Sequence, residues 1–127
     1  MAGTFKFELV TPERMVVSEE ASQVVVPGAE GAFTVLPGHA PVISTLRPGV
    51  IHVTLGDGRN VRAFVKSGFA EVDADRLVIL AERALNVDGM DVPRELQAAE
   101  AELSSASTDA ERFVAASAVD ELRALQR

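Results

Sequence analysis

The sequence predicts a small antiparallel β-sandwich or flattened barrel followed by a two-helix hairpin, and three observations predict it. Residues before Asn86 are rich in Val, Ile, Phe and Gly, whereas those after it are rich in Ala, Glu, Leu and Ser. The apolar period changes with the composition, from alternation in the first part to helical spacing in the second. Turn signals in the first part are too closely spaced for a βαβ sheet and suit an all-β body. The division is a β-sandwich over residues 1–85 and a helical hairpin over 86–127.

The strands follow from local pattern. Phe5-Lys6-Phe7-Glu8-Leu9 alternates apolar and polar, which puts Phe5, Phe7 and Leu9 on one face. Further β-rich runs occupy residues 15–17, 23–26, 33–36 and 42–45. Val50-Ile51-His52-Val53-Thr54-Leu55 then leads into Gly56-Asp57-Gly58-Arg59, a strong hairpin turn. The return strand covers 61–66 and is followed by strands at 68–72 and 77–81, with a turn at Asp73-Ala74-Asp75.

The helices announce themselves by their ends. Asp91 and Pro93 mark a start, since Asp caps free N–H groups and Pro is tolerated in a first turn. Leu96, Ala99 and Leu103 recur at helical spacing before the polar stretch 104–107. Thr108 and Glu111 have the spacing of a capping box. Ala115, Val119, Leu122 and Leu125 then form a stripe, and Ala98, Ala99, Ala115, Ala116 and Ala118 are small enough for two antiparallel helices to approach closely. The pair carries little bulky apolar surface, so weak packing on the β body is expected.

Composition excludes several classes. With 127 residues the chain can bury a core without disulfides or a structural metal. It has no cysteine, hence no thiolate zinc site and no cysteine nucleophile. A net charge of −7 opposes nucleic-acid binding and adsorption to anionic lipid. The opening MAGTFKFELV has too short an apolar run for a signal peptide and no basic leader. No segment reaches the roughly 20 apolar residues of a membrane span. The chain reads as soluble, with any membrane association passing through a partner.

A catalytic constellation is not visible. His39 and His52 stand in no metal-ligand spacing, and His52 reads as an outward residue of its strand. No serine sits in a GxSxG elbow, and Gly28-Ala29-Glu30-Gly31 reads as a turn, not a phosphate loop. No catalytic residue and no metal site is assigned. A stand-alone sandwich binding a small ligand or carbohydrate is the alternative reading, but the chain lacks the Trp and Tyr such sites use.

One stretch carries more. Pro27-Gly28-Ala29-Glu30-Gly31-Ala32-Phe33-Thr34-Val35-Leu36-Pro37-Gly38-His39-Ala40-Pro41 resembles the signature of epsilon subunits of bacterial-type rotary (F-type) ATP synthases: a G-x-x-G turn, a short strand, then P-x-H-x-P. The likeness continues in Leu46-Arg47-Pro48-Gly49-Val50-Ile51, in Ser67-Gly68-Phe69-Ala70-Glu71-Val72 and in Leu80-Ala81-Glu82-Arg83-Ala84. Order and spacing agree along about the first 85 residues, and the tail agrees in length and architecture.

The resemblance implies a sandwich of about ten short antiparallel strands with a C-terminal helical hairpin. It also implies a non-catalytic central-stalk subunit, coupling gamma-subunit rotation to the polar loops of the c-ring during proton-driven ATP synthesis. The implied c-ring contact is Gly28, Ala29, Glu30, Gly31 and Ala32. Many relatives are polar or acidic where this chain has Ala32, so a charge contact must lean on Glu30. His39 and Pro41 match the turn at the family's rotor interface.

In many relatives the tail extends along gamma into the alpha/beta catalytic head and blocks hydrolysis. The second helix here has only Arg112, Arg123 and Arg127 as basic residues. Some relatives hold the folded tail with ATP through an Ile/Leu-Asp-x-x-Arg-Ala motif. Asp91 and Arg94 are retained, but Met90 and Glu95 depart from it and Pro93 removes a donor. The motif therefore reads as vestigial, with Asp91 a helix cap, and no cofactor is expected. The implied setting is the cytoplasmic side of a bacterial plasma membrane, peripherally, with a monomer in isolation.

Overall fold

The computed structural model describes residues 3–126. Nine strands precede two helices. β1 (Phe5–Val10) buries Phe5, Phe7 and Leu9, as its alternation predicts. β2 (Met15–Gly28) is one strand of 14 residues where two separate runs are expected. The polar segment Ser18-Glu19-Glu20 hides the continuity in sequence, yet it pairs in register with β1 through Glu8, Phe7 and Lys6. Pairing with β5 shifts between Ala21 and Gln23, a bulge that bends the strand.

β3 (Gly31–Val35) folds back on the end of β2, and β4 (Val42–Thr45) follows the loop carrying His39. β5 (Gly49–Leu55) and β6 (Asn60–Val65) form the hairpin whose turn Asp57 and Arg59 brace by an ion pair of 2.7 Å. That partnership holds the Asp57 carboxyl below its ordinary range and raises Arg59, chiefly through hydrogen bonding between them. β7 (Gly68–Val72) and β8 (Arg76–Ala81) complete a second hairpin. A short β9 (Ala84–Asn86), not foreseen from the sequence, adds to the edge of β6.

The hydrogen-bonded order is β4-β7-β8-β1-β2-β5-β6-β9, with β3 on β2. The expectation of about ten short antiparallel strands is met in number and corrected in one pairing. Nine are present among the described residues, and β1 with β8 is a parallel pair, Phe7 opposite Leu77 and Leu9 opposite Ile79. A parallel pairing needs a long connection, and here most of the body intervenes between the two strands, beyond the reach of hairpin signals. The chain is a β-sandwich: Phe7, Val26, Val35, Ile51, Val65, Leu77 and Ile79 meet in one core.

The helices are α1 (Val92–Ser105) and α2 (Asp109–Leu125), after a single 3-10 turn at Val87–Gly89. Ser104 and Ser105 continue α1 instead of interrupting it. The Asp91 carboxylate accepts from the Arg94 N–H at 3.2 Å, closing the N-terminus of α1. Thr108 and Glu111 form the full capping box. Ala99, Ala115 and Ala118 are buried at the helix contact, whereas Ala98 is exposed and Ala116 half-buried. Arg123 and Glu100 tie the helices at 3.1 Å. Arg127 lies outside the described residues.

Candidate functional site

The tip of the β2–β3 connection is a two-residue turn, Ala29-Glu30, closed by the register pair Gly28 and Gly31. A side chain on Gly28 would meet the Gly31 carbonyl oxygen at 2.7 Å and the Phe33 ring at 3.0 Å. Gly31 has φ +136°, a conformation that glycine adopts at little cost. Below the tip, the Ala29 N–H donates to the Thr45 carbonyl at 2.8 Å and the Arg47 N–H to that of Pro27 at 3.0 Å. The turn is thus fastened at its base to the β4–β5 link. Gly28 is buried in that base, while Ala29, Glu30, Gly31 and Ala32 are exposed.

The loop between β3 and β4 is fixed by its own hydrogen bonds. The Gly38 N–H donates to the Ala74 carbonyl at 2.8 Å, and the His39 N–H to that of Leu36 at 3.2 Å. The His39 Nδ1–H donates to the Ala40 carbonyl at 2.6 Å, which sets the ring's orientation. Its centroid lies 6.4 Å from that of Phe33. An open hollow of about 340 Å³ is lined by Glu30, Gly31, Ala32, Phe33, His39 and Val42, with Ser44. The fold therefore brings the turn residues and His39 onto one surface. Pro41 is exposed beside β4 and does not line the hollow.

Asp91 and Arg94 do not join this site. Asp91 is engaged as the cap, and Arg94 makes no ion pair among the described residues. His52 is exposed on β5, on the face opposite Ile51 and Val53. No group of three His, Cys, Asp or Glu suited to a metal occurs among the described residues.

Sequence reasoning missed an outward apolar strip on β4, β7 and β8. Ile43 is 70% exposed and Phe69 42%. Phe69 is registered between Thr45 of β4 and Leu80 of β8, and Leu80 is also exposed. Val42 and Ser44 lie on the other face of β4 and line the hollow. The signal was present: in Phe69-Ala70-Glu71-Val72, Ala70 and Val72 point inward, so the same alternation turns Phe69 to solvent. A large outward aromatic next to an exposed Ile marks a covered surface in many proteins.

The β-sandwich domain described as that of the ATP synthase delta/epsilon chain matches residues 4–87. The chain belongs to this family. The ATP synthase epsilon chain of Rhodospirillum rubrum is 46% identical over 121 residues, covering 93% of this chain and 90% of that protein. The ATP synthase epsilon chain of Maricaulis maris is 45% identical, covering 99% and 96%. The fold alone is shared with a chain of the Euglena gracilis mitochondrial ATP synthase, at TM-score 0.75 and 22% identity over 97% of this chain and 79% of that one. A chain of the Tetrahymena thermophila central stalk and c-ring aligns at TM-score 0.65 and 16% identity, covering 96% and 93%. Among the described residues, no helix of this family member is long and apolar enough to cross a membrane.

Proposed function

We propose that this chain is the epsilon-type subunit of a rotary ATP synthase, joining the gamma shaft to the c-ring without bond-making chemistry of its own. One observation carries the reading: Glu30, Gly31, Ala32 and His39 share one open hollow. In this reading the Ala29-Glu30 tip grips the polar loops of the ring, and His39, Pro41 and the strip face gamma. Apolar area excludes water at the centre of such a contact, while the stiff base resists slippage under torque. The subunit sits peripherally at the cytoplasmic side of a bacterial plasma membrane, held there by its partners.

The chain has no cysteine, so single introduced cysteines report unambiguously. In the assembled enzyme Glu30→Cys is expected to cross-link to a c-subunit loop and Phe69→Cys to gamma. Failure of both, in a chain that still co-purifies with the complex, sinks the assignment of these surfaces. A chain that does not co-purify at all sinks the rotor reading itself.

Inhibition by the tail is a separate matter. Removing residues from Asp88 onward, combined with Phe64→Ser to keep the uncovered sheet polar, tests it through ATP hydrolysis by the complex. Faster hydrolysis assigns the tail an inhibitory role; an unchanged rate leaves coupling alone. Use of the Asp91 carboxylate as a cap, with Glu95 nearby in sequence, supports the reading that the subunit takes no ATP. Micromolar binding in calorimetry overturns that.

A further inference from the structure

The outer face of β6 is unusual. Residues two apart on a strand share a face, so Arg62, Phe64 and Lys66 form one row pointing away from the sandwich core. Ala63 and Val65 belong to that core, whereas Phe64 belongs to a second, smaller cluster with Leu96, Ala99, Ala118, Val119 and Leu122. Phe64 is only 2% exposed, although it faces out of the sandwich, because the helical hairpin covers it.

Charges surround this contact with their signs sorted by side. Lys66 Nζ lies 2.8 and 3.0 Å from the two Glu102 carboxylate oxygens. Arg83, just before β9, makes two parallel hydrogen bonds of 3.0 Å to Glu95, whose side chain is only 17% exposed. Arg62 reaches Asp88 at 3.2 Å. Every cation belongs to the β body and every anion to the tail. Glu95 and Glu102 are seven residues apart, two helical turns, and so lie on one face of α1 with Leu96 and Ala99 beside them. The register of Val65 with Ala84 puts Lys66 and Arg83 side by side at one end of Phe64, where they meet Glu102 and Glu95 of α1, and Arg62 meets Asp88 at the other end.

We infer that these pairs form an electrostatic latch that holds the hairpin closed over Phe64, requires no ligand, and loosens as salt rises. Isolated surface pairs contribute little. These differ in that two are doubly hydrogen-bonded and stand side by side at one end of an apolar contact that the hairpin alone makes dry, with Arg62 and Asp88 at the other end. The latch concerns the isolated chain and does not depend on the rotor reading.

Native-state hydrogen exchange on the full chain tests it, with β1 and β8 amides reporting global unfolding. Moving from low salt to about 1 M, where charges are screened within roughly 3 Å, is expected to speed exchange of α1 and α2 amides severalfold and leave β1 and β8 unchanged. The double variant Glu95→Gln/Glu102→Gln is expected to open about three- to tenfold more often and to lose most of the salt dependence. The charge swap Arg83→Glu/Glu95→Arg is expected to recover protection that Glu95→Arg alone removes. Hairpin exchange indifferent to salt overturns the latch, as does a swap that recovers nothing. Should the double variant unfold globally, the salt series on the unaltered chain still decides.

Discussion

Gly28 and Gly31 face each other so closely that a Cβ on Gly28 would lie 2.7 Å from the Gly31 carbonyl oxygen. Gly28 leaves room for this approach and Gly31 supplies the φ of +136° that the turn needs, while the base stays bonded to Thr45 and Arg47. Gly28→Ala is therefore expected to shift the tip and cost about 1–3 kcal/mol, the range for overpacking a well-filled site. Urea unfolding of the isolated chain measures the cost. ATP-driven proton pumping by the assembled enzyme should fall more than ATP hydrolysis does, because the tip moves while the catalytic sites lie elsewhere.

Phe64→Ala removes the knob on which the hairpin sits. Truncating a buried Phe typically costs about 3–5 kcal/mol, and here the loss falls on hairpin docking rather than on the sandwich core. The expected outcome is early tryptic cleavage after Arg94 and Arg112, with the β body still folded by NMR. Equal loss of both parts would mean that hairpin and body form one cooperative unit.

The capping box gives a pH signature. Glu111 accepts from the N–H and hydroxyl of Ser107 and from the Thr108 N–H, and these bonds, those from Ser107 foremost, hold its carboxyl below the ordinary glutamate range. A depressed folded value means that the contribution is complete above the ordinary glutamate pKa of about 4.3 and is lost as pH falls through the lower folded value. Far-UV circular dichroism should show α2 fraying at that acid end. Glu111→Gln should flatten this component, and Thr108→Ala should weaken the helix at every pH by about 1 kcal/mol.

The Ile43–Phe69 strip separates stability from assembly. Ile43→Ser and Phe69→Ser are expected to leave the isolated chain within about 0.5 kcal/mol, since both side chains already meet water. Association with gamma should weaken by about tenfold or more if the strip is the centre of that contact. Urea unfolding gives the first number and surface plasmon resonance on the purified subunits the second, and unchanged affinity would move the contact elsewhere.

Which parts of this were legible follows from how far each signal reaches. Phe5, Phe7 and Leu9 announced their face because alternation is local, and Thr108 with Glu111 announced the start of α2 for the same reason. β2 did not read as one strand because Ser18, Glu19 and Glu20 are polar on both faces, and only pairing with β1 keeps them extended. The parallel register of Phe7 with Leu77 depends on the whole intervening chain. At the site, Glu30 and His39 were readable as a motif, but their shared hollow depends on how β3 and β4 are placed. Phe64 shows the opposite limit. An outward phenylalanine reads as exposed until the helix that shelters it is known.

The long second strand has a mechanical consequence. Its first half lies along β1, its second half along β5, and its far end carries the Ala29-Glu30 tip. A sideways push on that tip is therefore resisted along most of a 14-residue beam paired in turn with β1, β5 and β3, and not by the turn alone. Bending it means shearing rows of backbone hydrogen bonds together instead of peeling them one by one, which is how a small body can act as a rigid tooth.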